Sequence, residues 1–389
     1  MLQVLQTIFW VSLFILLYTY VGYPLLLLIL AGNKTLFRKA TTDKSDDLSP
    51  VTLVITAFNE EDIIEEKIRN LQQLDYPEDL LQILFVTDGS TDNTPQIVKQ
   101  YPRFKLLHQP ERKGKLAAMD RAVEFAGTAI IIFNDANGYL NAESIRRIVR
   151  HYSDPKVGAV SGEKKVLQSG NAAGQGEGLY WKYESLLKHL DSQLNTVVGA
   201  AGELFSIRRN LYVKLSPDTI IEDFVQSLLL CRRGYVVRYE QEAWSAEAPS
   251  LHLPDEIERK IRISAGGFQA ISRLSGLLNV FRHPLLTFQY VSHRVLRWTL
   301  APVSLILLYI SNWLLYLYTL ADGYLVFVLV QTLFYLAAFL GWVEARNKRK
   351  SRLLYVPFYF VLMNWCVFPG FFRFISGRQE AVWKKAARK

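Results

Sequence analysis

The chain has 389 residues, half of them hydrophobic and 21% charged, with a formal net charge of +9. That charge content excludes a pure membrane bundle, and two cysteines, Cys231 and Cys366, exclude a disulfide framework or cysteine-rich metal centre and suit a reducing compartment. Residues 345–389 carry eleven Lys or Arg against Glu380 alone, a net of +10, so the other 344 residues sum to −1; such a cluster beside apolar segments points to membrane lipids, not to nucleic acid.

In chain order, Met1 to Asn33 has no charged side chain, and Phe9 to Leu30 alone exceeds the ~20 apolar residues that span a bilayer. Residues 1–32 therefore read as a transmembrane helix, and a cleaved signal peptide fits poorly because a basic start and a small-residue cleavage site are missing. A polar linker over 33–50 ends in Ser49-Pro50. Val51 to Thr56 is a β-rich run, after which Ile63, Ile64, Ile68 and Leu71 recur at helical spacing. Leu81 to Val86 repeats the strand signal, Thr94-Pro95 opens another helix, and Phe104 to Leu107 and Ala129 to Phe133 supply two further strands. Strands alternating with helices predict an α/β domain over 51–254, with a mostly parallel, Rossmann-like sheet covered on both faces. In such sheets ligands sit beyond the carboxyl ends of the strands. Asn59 and Glu60, Asp88, and Asn134 to Asn137 stand there.

Over 255–296, Ile257, Ile261, Phe268, Ile271, Leu274, Leu278 and Phe281 recur at helical intervals among Arg and Lys, which predicts amphipathic helices on a membrane surface or packed on the soluble domain. About three apolar spans follow within 297–375, at Trp298 to Tyr318, Tyr324 to Val343 and Tyr355 to Phe372, and a basic tail closes the chain over 376–389. Lys34, Arg38, Lys39, Arg294 and Arg297 place the soluble domain in the cytoplasm under the positive-inside rule. Three later crossings would then leave the basic tail outside, so either the last segment is re-entrant or interfacial, or one span is misread.

Taken singly, the strand-end motifs are modest. Thr56-Ala-Phe-Asn-Glu60 reads equally as a turn with a helix cap. Asp88-Gly-Ser-Thr-Asp-Asn93 is not a calcium loop, because Asn93 replaces the required Gly and Lys99 stands where a bidentate Glu belongs. Arg112-Lys-Gly-Lys115 is a basic loop without the Gly spacing of a P-loop. Asp135-Ala-Asn137 reads as a strand-end turn, and Glu222-Asp223 as a helix N-terminus whose acids complement the macrodipole.

Together and in this order, Thr56-Ala-Phe-Asn-Glu-Glu61, Val86-Thr-Asp-Gly-Ser-Thr-Asp-Asn-Thr94 and Arg112-Lys-Gly-Lys-Leu-Ala-Ala-Met-Asp120 resemble the family 2 inverting glycosyltransferases of the membrane-bound, cellulose synthase-like superfamily. The resemblance covers about residues 50–270 and implies a GT-A fold flanked by transmembrane and interfacial helices. It implies that Thr56, Ala57, Phe58, Asn59, Glu60 and Asp88 hold the base and ribose of a nucleotide sugar, with Lys115 near the base or diphosphate. Asp135 and Asn137 match the family's Asp-x-Asp, which holds Mg or Mn on the diphosphate, with an uncharged amide in place of the second acid. Asp223 matches the catalytic base, with Glu222 beside it tuning the site. Polysaccharide synthases carry Gln-x-x-Arg-Trp downstream; here Arg259-Lys-Ile-Arg-Ile263 keeps the cation as Arg262 and lacks the aromatic.

The resemblance implies a hexosyl- or N-acetylhexosaminyltransferase of the plasma (inner) membrane, acting on a UDP-linked donor. The acceptor would be a growing exopolysaccharide, with accessory export subunits as partners, or a lipid-linked acceptor taking a single sugar. A reading of another class is a catalytically inactive scaffold that binds the nucleotide sugar. A transporter is disfavoured because the spans contain almost no ionisable residues.

Overall fold

The computed structural model describes residues 1–37, 48–167, 172–248, 253–347 and 351–379, so Arg38, Lys39 and the tail from 380 lie outside the described residues. Each strand foreseen in the first third forms: β1 (Val51–Ala57), β2 (Leu81–Asp88), β3 (Lys105–Gln109) and β4 (Ile130–Asp135). They pair in parallel, and their aliphatic residues bury both faces. On one face Leu53 and Ile55 pack against Ile64 and Ile68; on the other Val54, Val86 and Phe133 pack against Ala118, Met119 and Ala122. Burying an Ile completely stabilises by about 1.5–3 kcal/mol, so the alternation along β1 is enough to fix both layers.

Four further strands, β5 (Tyr139–Leu140), β6 (Val157–Val166), β7 (Leu204–Arg208) and β8 (Val236–Glu247), complete the order β3-β2-β1-β4-β7-β6-β8-β5. The sheet is mixed: β7 runs antiparallel between β4 and β6, β6 and β8 are parallel, and β5 is antiparallel to β8.

The helices, in chain order, begin with α1 (Leu2–Leu17) and α2 (Tyr23–Phe37), joined by a π turn at Tyr18–Gly22 into one continuous rod. Between strands lie α3 (Glu61–Leu71), α4 (Thr94–Lys99), α5 (Lys115–Phe125), α6 (Ser144–Val149), α7 (Ala172–Leu194) and α8 (Glu222–Arg232). After the sheet come α9 (Leu253–Arg273), α10 (Pro284–Tyr290), a second π turn at Val291–Val295 and α11 (Leu296–Trp298). The apolar end is α12 (Leu300–Thr319), α13 (Asp322–Arg346), α14 (Arg352–Trp365) and α15 (Val367–Ile375). Among the described residues, four helices are long and apolar enough to cross a membrane: Leu2–Gly32, Leu300–Thr319, Asp322–Arg346 and Leu353–Ile375.

Two features refine the sequence reading. α15 lies along the amphipathic helix α9, and α14 packs on it through its aromatic residues. Ile261 packs with Tyr355, Phe358 and Tyr359, the Phe268 ring meets Phe371 at 5.0 Å and Phe374 at 6.2 Å, and Arg373 pairs with Glu258. Small residues permit the approach, since a Cβ added at Gly370 would stand 2.6 Å from the Ser264 Cβ. Trp298, read as the start of a span, instead packs on Phe224 with ring centroids 5.2 Å apart, and α12 begins at Leu300.

The apolar rod is fastened to the α/β unit by buried polar groups. Asp191 on α7 accepts from the Tyr23 hydroxyl and Gln289 and lies 2.6 Å from His293 Nδ1, while Glu184 pairs with Arg294 at 3.2 Å and with Arg297. Burial alone would raise the Glu184 carboxyl; Arg294 and Arg297 outweigh it and hold the group well below the usual carboxylate range.

Candidate active site

The carboxyl ends of β1, β2 and β4 open into a cleft of about 1380 Å³. Three loops shape one end of it. Asn59 adopts a left-handed conformation with φ 54°, its side-chain oxygen accepts from the Thr91 amide at 2.8 Å and its backbone N–H donates to the Ser90 hydroxyl at 3.2 Å, so it clamps the loop after β1 to the loop after β2. Thr56, Ala57, Phe58 and Glu60 line the cleft, whereas the Asn59 side chain is turned into that clamp.

Asp88 closes on the third loop. Its Oδ2 accepts the backbone amides of Lys113 at 2.9 Å and Gly114 at 2.6 Å, and its Oδ1 accepts from Arg121 at 3.2 Å. The loops touch so closely that a Cβ on Gly89, whose φ is +72°, would meet the Arg112 backbone at 2.8 Å. Both Asp88 oxygens are thus committed to shaping the basic loop, at a carboxylate only 5% exposed. The Arg112 guanidinium lies over the Phe58 ring, 3.7 Å from its centroid, at the mouth.

Deeper in, charges converge from four elements. Lys115, first residue of α5, ion-pairs with Asp135 Oδ1 at 2.7 Å and lies 3.8 Å from Glu222 Oε1. Thr56 donates to the same Asp135 oxygen at 3.3 Å. Glu222 and Asp223 open α8, and a Cβ on Gly202 would stand 3.0 Å from Asp223 Oδ2 and 3.6 Å from Lys115 Nζ, so the loop before β7 presses on the pair. Arg262, from α9, donates to the Ile220 carbonyl at 3.0 Å and faces Glu222, Asp223 and Asp135 electrostatically.

Burial and the Glu222 charge push the Asp223 carboxyl up to about 7, with Lys115 opposing. Against the effect of burial, Asp135 and Glu222 hold Lys115 firmly protonated. Burial lowers Arg262, with Glu222 and Asp223 opposing. A carboxyl that sheds its proton near neutrality, next to two fixed cations, suits proton abstraction beside an anionic leaving group.

Hard divalent cations bound with substrate phosphates need one or two carboxylates plus water. Asp135 supplies a carboxylate and Asn137 an amide oxygen on the same wall of the cleft, which fits an ion shared with a diphosphate. Among the described residues no group of three His, Cys, Asp or Glu forms a protein-only metal cage.

Sequence reasoning missed Lys67, which is fully buried and holds Asn134 and the Gly138 carbonyl under the Asp135 turn. It also missed Arg121, Gly202, Glu203 and the aromatic pair Tyr180 and Trp181, which line or support the cleft. Among these, only Arg121 lay close in sequence to a motif already singled out.

A profile of glycosyl transferase family 2 matches residues 52–215. Poly-beta-1,6-N-acetyl-D-glucosamine synthase of Staphylococcus aureus is 24% identical over 278 residues, which are 68% of this chain and 65% of that protein. The synthase of the same name from Staphylococcus epidermidis is 22% identical over 243 residues, 57% of this chain and 56% of that protein. The chain thus spans less than two thirds of the length of these curated relatives. Among solved structures, a mannosyltransferase of Pyrobaculum calidifontis in complex with GDP-Man and Mn2+ superposes with a TM-score of 0.71 at 20% identity, covering 96% of this chain and 99% of that one. The α/β sheet with long apolar helices at both ends is therefore shared along nearly the whole chain. With the profile match covering β1 to β7, the α/β unit matches glycosyl transferase family 2 and has the GT-A fold.

Proposed function

We propose that the chain transfers a sugar, with inversion, from a UDP-linked donor to an acceptor held at the membrane. The observation that carries this reading is the Asp223 carboxyl, raised to about 7 at the start of α8 beside Lys115 and Arg262. Thr56 to Glu60 and the Asp88-shaped loop receive the nucleotide. Asp135 and Asn137 would hold a divalent cation, which would neutralise charge on the diphosphate. Asp223 takes the proton of an acceptor hydroxyl as that oxygen bonds to the anomeric carbon. The bond from that carbon to the diphosphate breaks, and the electron pair leaves with a diphosphate stabilised by Lys115 and Arg262.

For the acceptor, the names of the Staphylococcus relatives support extension of an extracellular polysaccharide. Two observations favour a second reading, single transfer to a lipid-linked acceptor. Ile263 stands where an aromatic platform is expected, and Tyr20 donates to Asn364 at 2.9 Å, tying the first and last apolar helices across the inner end of the cleft. We further propose a catalytic domain on the cytoplasmic side of the plasma membrane. With α15 laid against α9 through Gly370, Phe371 and Arg373, the last described helix lies on the catalytic side.

The test offers the full-length protein in membranes a panel of nucleotide sugars with Mg²⁺ or Mn²⁺ and measures diphosphate release together with product mass. A ladder of oligomers supports the polymerase, and a single-sugar glycolipid rejects it. Diphosphate release without a sugar-bearing product rejects transfer in favour of hydrolysis.

A further inference from the structure

Beyond Asp223 the cleft continues as an inner chamber beneath α7, and the transfer chemistry assigns no ligand to it. Its walls include Trp181 and Lys188 of α7, Arg294 and Arg297 after α10, and Tyr20 of the first apolar helix. Lys188 is 4% exposed. Among the described residues its ammonium has no hydrogen-bond or ion-pair partner; it faces the rings of Trp181 at 5.7 Å and Tyr239 at 6.0 Å. Neighbouring Arg294 and Arg297 share a single carboxylate, Glu184.

Lys188, Arg294 and Arg297 set three cations on this wall; Glu184, Glu203 and Glu163 act on Lys188 electrostatically, yet among the described residues none of them pairs with its ammonium. Burial lowers the Lys188 pKa and the Arg294 charge lowers it further, so the ammonium is held at a free-energy cost that an incoming anion would remove. Both π turns feed this chamber, one presenting Tyr20 and the other Arg294. Such turns recur at functional sites. From α14 the lining takes the apolar side chains Val356, Phe360 and Met363. An anion that sits here with its remainder along that wall carries a hydrocarbon chain.

We propose that the chamber binds the phosphate of a lipid-linked sugar acceptor, Lys188 donating to its anionic oxygens with Arg294 and Arg297 behind it. The sugar hydroxyl would then reach towards Asp223 while the lipid leaves between the apolar helices. This inference rests on the glycosyl-transfer reading and specifies the acceptor of its second form.

The experiment uses full-length protein in lipid nanodiscs and the donor found active in the panel. Two acceptors bearing the same sugar are compared, one linked through a farnesyl diphosphate and one an uncharged octyl glycoside. The wild type should use the phosphate-linked acceptor at least tenfold more efficiently. Lys188→Met should raise the KM for that acceptor about tenfold or more, the loss of one charged hydrogen bond, with the donor KM and the octyl-glycoside rate unchanged. Lys188→Arg should restore most of it, and melting temperatures for both variants monitor folding. Equal use of the two acceptors by the wild type, or an unchanged KM in Lys188→Met, sinks the phosphate site and leaves glycosyl transfer standing. Competition by millimolar inorganic phosphate marks a free-phosphate site and overturns the lipid assignment. A wild type that binds donor and glycosylates neither acceptor overturns the transfer reading, and this inference with it.

Discussion

On the donor side of the cleft, charges meet through loops only a few residues long: Asp88 closes on the amides of Lys113 and Gly114, and Lys115 spans from the next residue to Asp135. On the membrane side, charges meet across the whole chain, Glu184 with Arg294 and Arg297, and Asp191 with Tyr23 and His293. In the first region the backbone sets the geometry, so the Lys115, Glu222 and Asp223 side chains are available for chemistry. In the second, the ionic groups are themselves the contact between α2, α7 and the turn after α10, so they carry structure. The two regions should therefore respond in opposite ways to loss of a charge.

The sharpest test is Asp223→Asn. Loss of a general base costs about 10²–10⁴-fold in kcat, and nucleotide binding should persist. Stability should not fall. A carboxyl raised from 3.8 to about 7 in the folded protein binds more protons there than in the unfolded chain, so stability declines as pH rises through that window. At pH 8 the ionised Asp223 is a cost that asparagine lacks, and the melting temperature of the variant should equal or exceed that of the wild type. An Asp223→Asn variant that transfers sugar as fast as the wild type would point to another base.

Glu184→Gln should do the reverse. It strands Arg294 and Arg297 in a buried setting, and breaking such a pair costs about 3–5 kcal/mol. The depressed Glu184 carboxyl contributes stability above its unfolded pKa, lost as pH falls, so the wild type should lose its melting advantage over the variant in acid. A variant as stable as the wild type at pH 8 would erase the distinction between the two regions.

The same division explains what could be read from the sequence. Strands β1 to β4 were legible because aliphatic runs between short loops have a local signature, and their polar ends placed Asp88, Asp135 and Glu60 at one rim. Glu222-Asp223 was legible as a helix start, and α8 begins there. The strands β5 to β8 were not. β5 has two residues, and β6 and β8 carry buried charged groups such as Lys164, Glu240 and Glu247 that hide the strand pattern. Lys164 is satisfied by Glu203 and Glu247, 39 and 83 residues away, and no window of sequence contains both partners. Arg294 and Arg297 were noticed only as flanking charges; their carboxylate lies more than 100 residues earlier.

A smaller effect is expected at Gly202, where the donor loops meet the base. The added Cβ of Gly202→Ala stands 3.0 Å from Asp223 Oδ2, so carboxyl or loop must move by a few tenths of an ångström. A displacement of 1 Å can cost 10²-fold, so kcat should fall by about tenfold or less with the fold intact. An unchanged kcat would show that the loop before β7 yields and does not position the base.

The least expected change is in the pH profile of Glu222→Gln. In the wild type, kcat/KM should rise with pH and level off above about 7, because the free enzyme reacts through ionised Asp223. Burial is the larger cause of that elevation and the Glu222 charge the second, so removing the charge lowers the Asp223 pKa without returning it to 3.8. The acid limb should therefore move to lower pH, and the variant should gain relative rate at pH 6. Lys115 acts in the same direction as this gain, since its charge lowers the Asp223 pKa and, with the Glu222 carboxylate gone, it retains Asp135 at 2.7 Å. That retained pair should keep the ammonium charged, and the alkaline side of the profile should stay where it was. A limb that stays fixed in Glu222→Gln would mean that burial alone sets the proton affinity, or that the titrating group is not Asp223. Combining the variant with Asp223→Asn separates the two, because the limb disappears only if Asp223 is its origin.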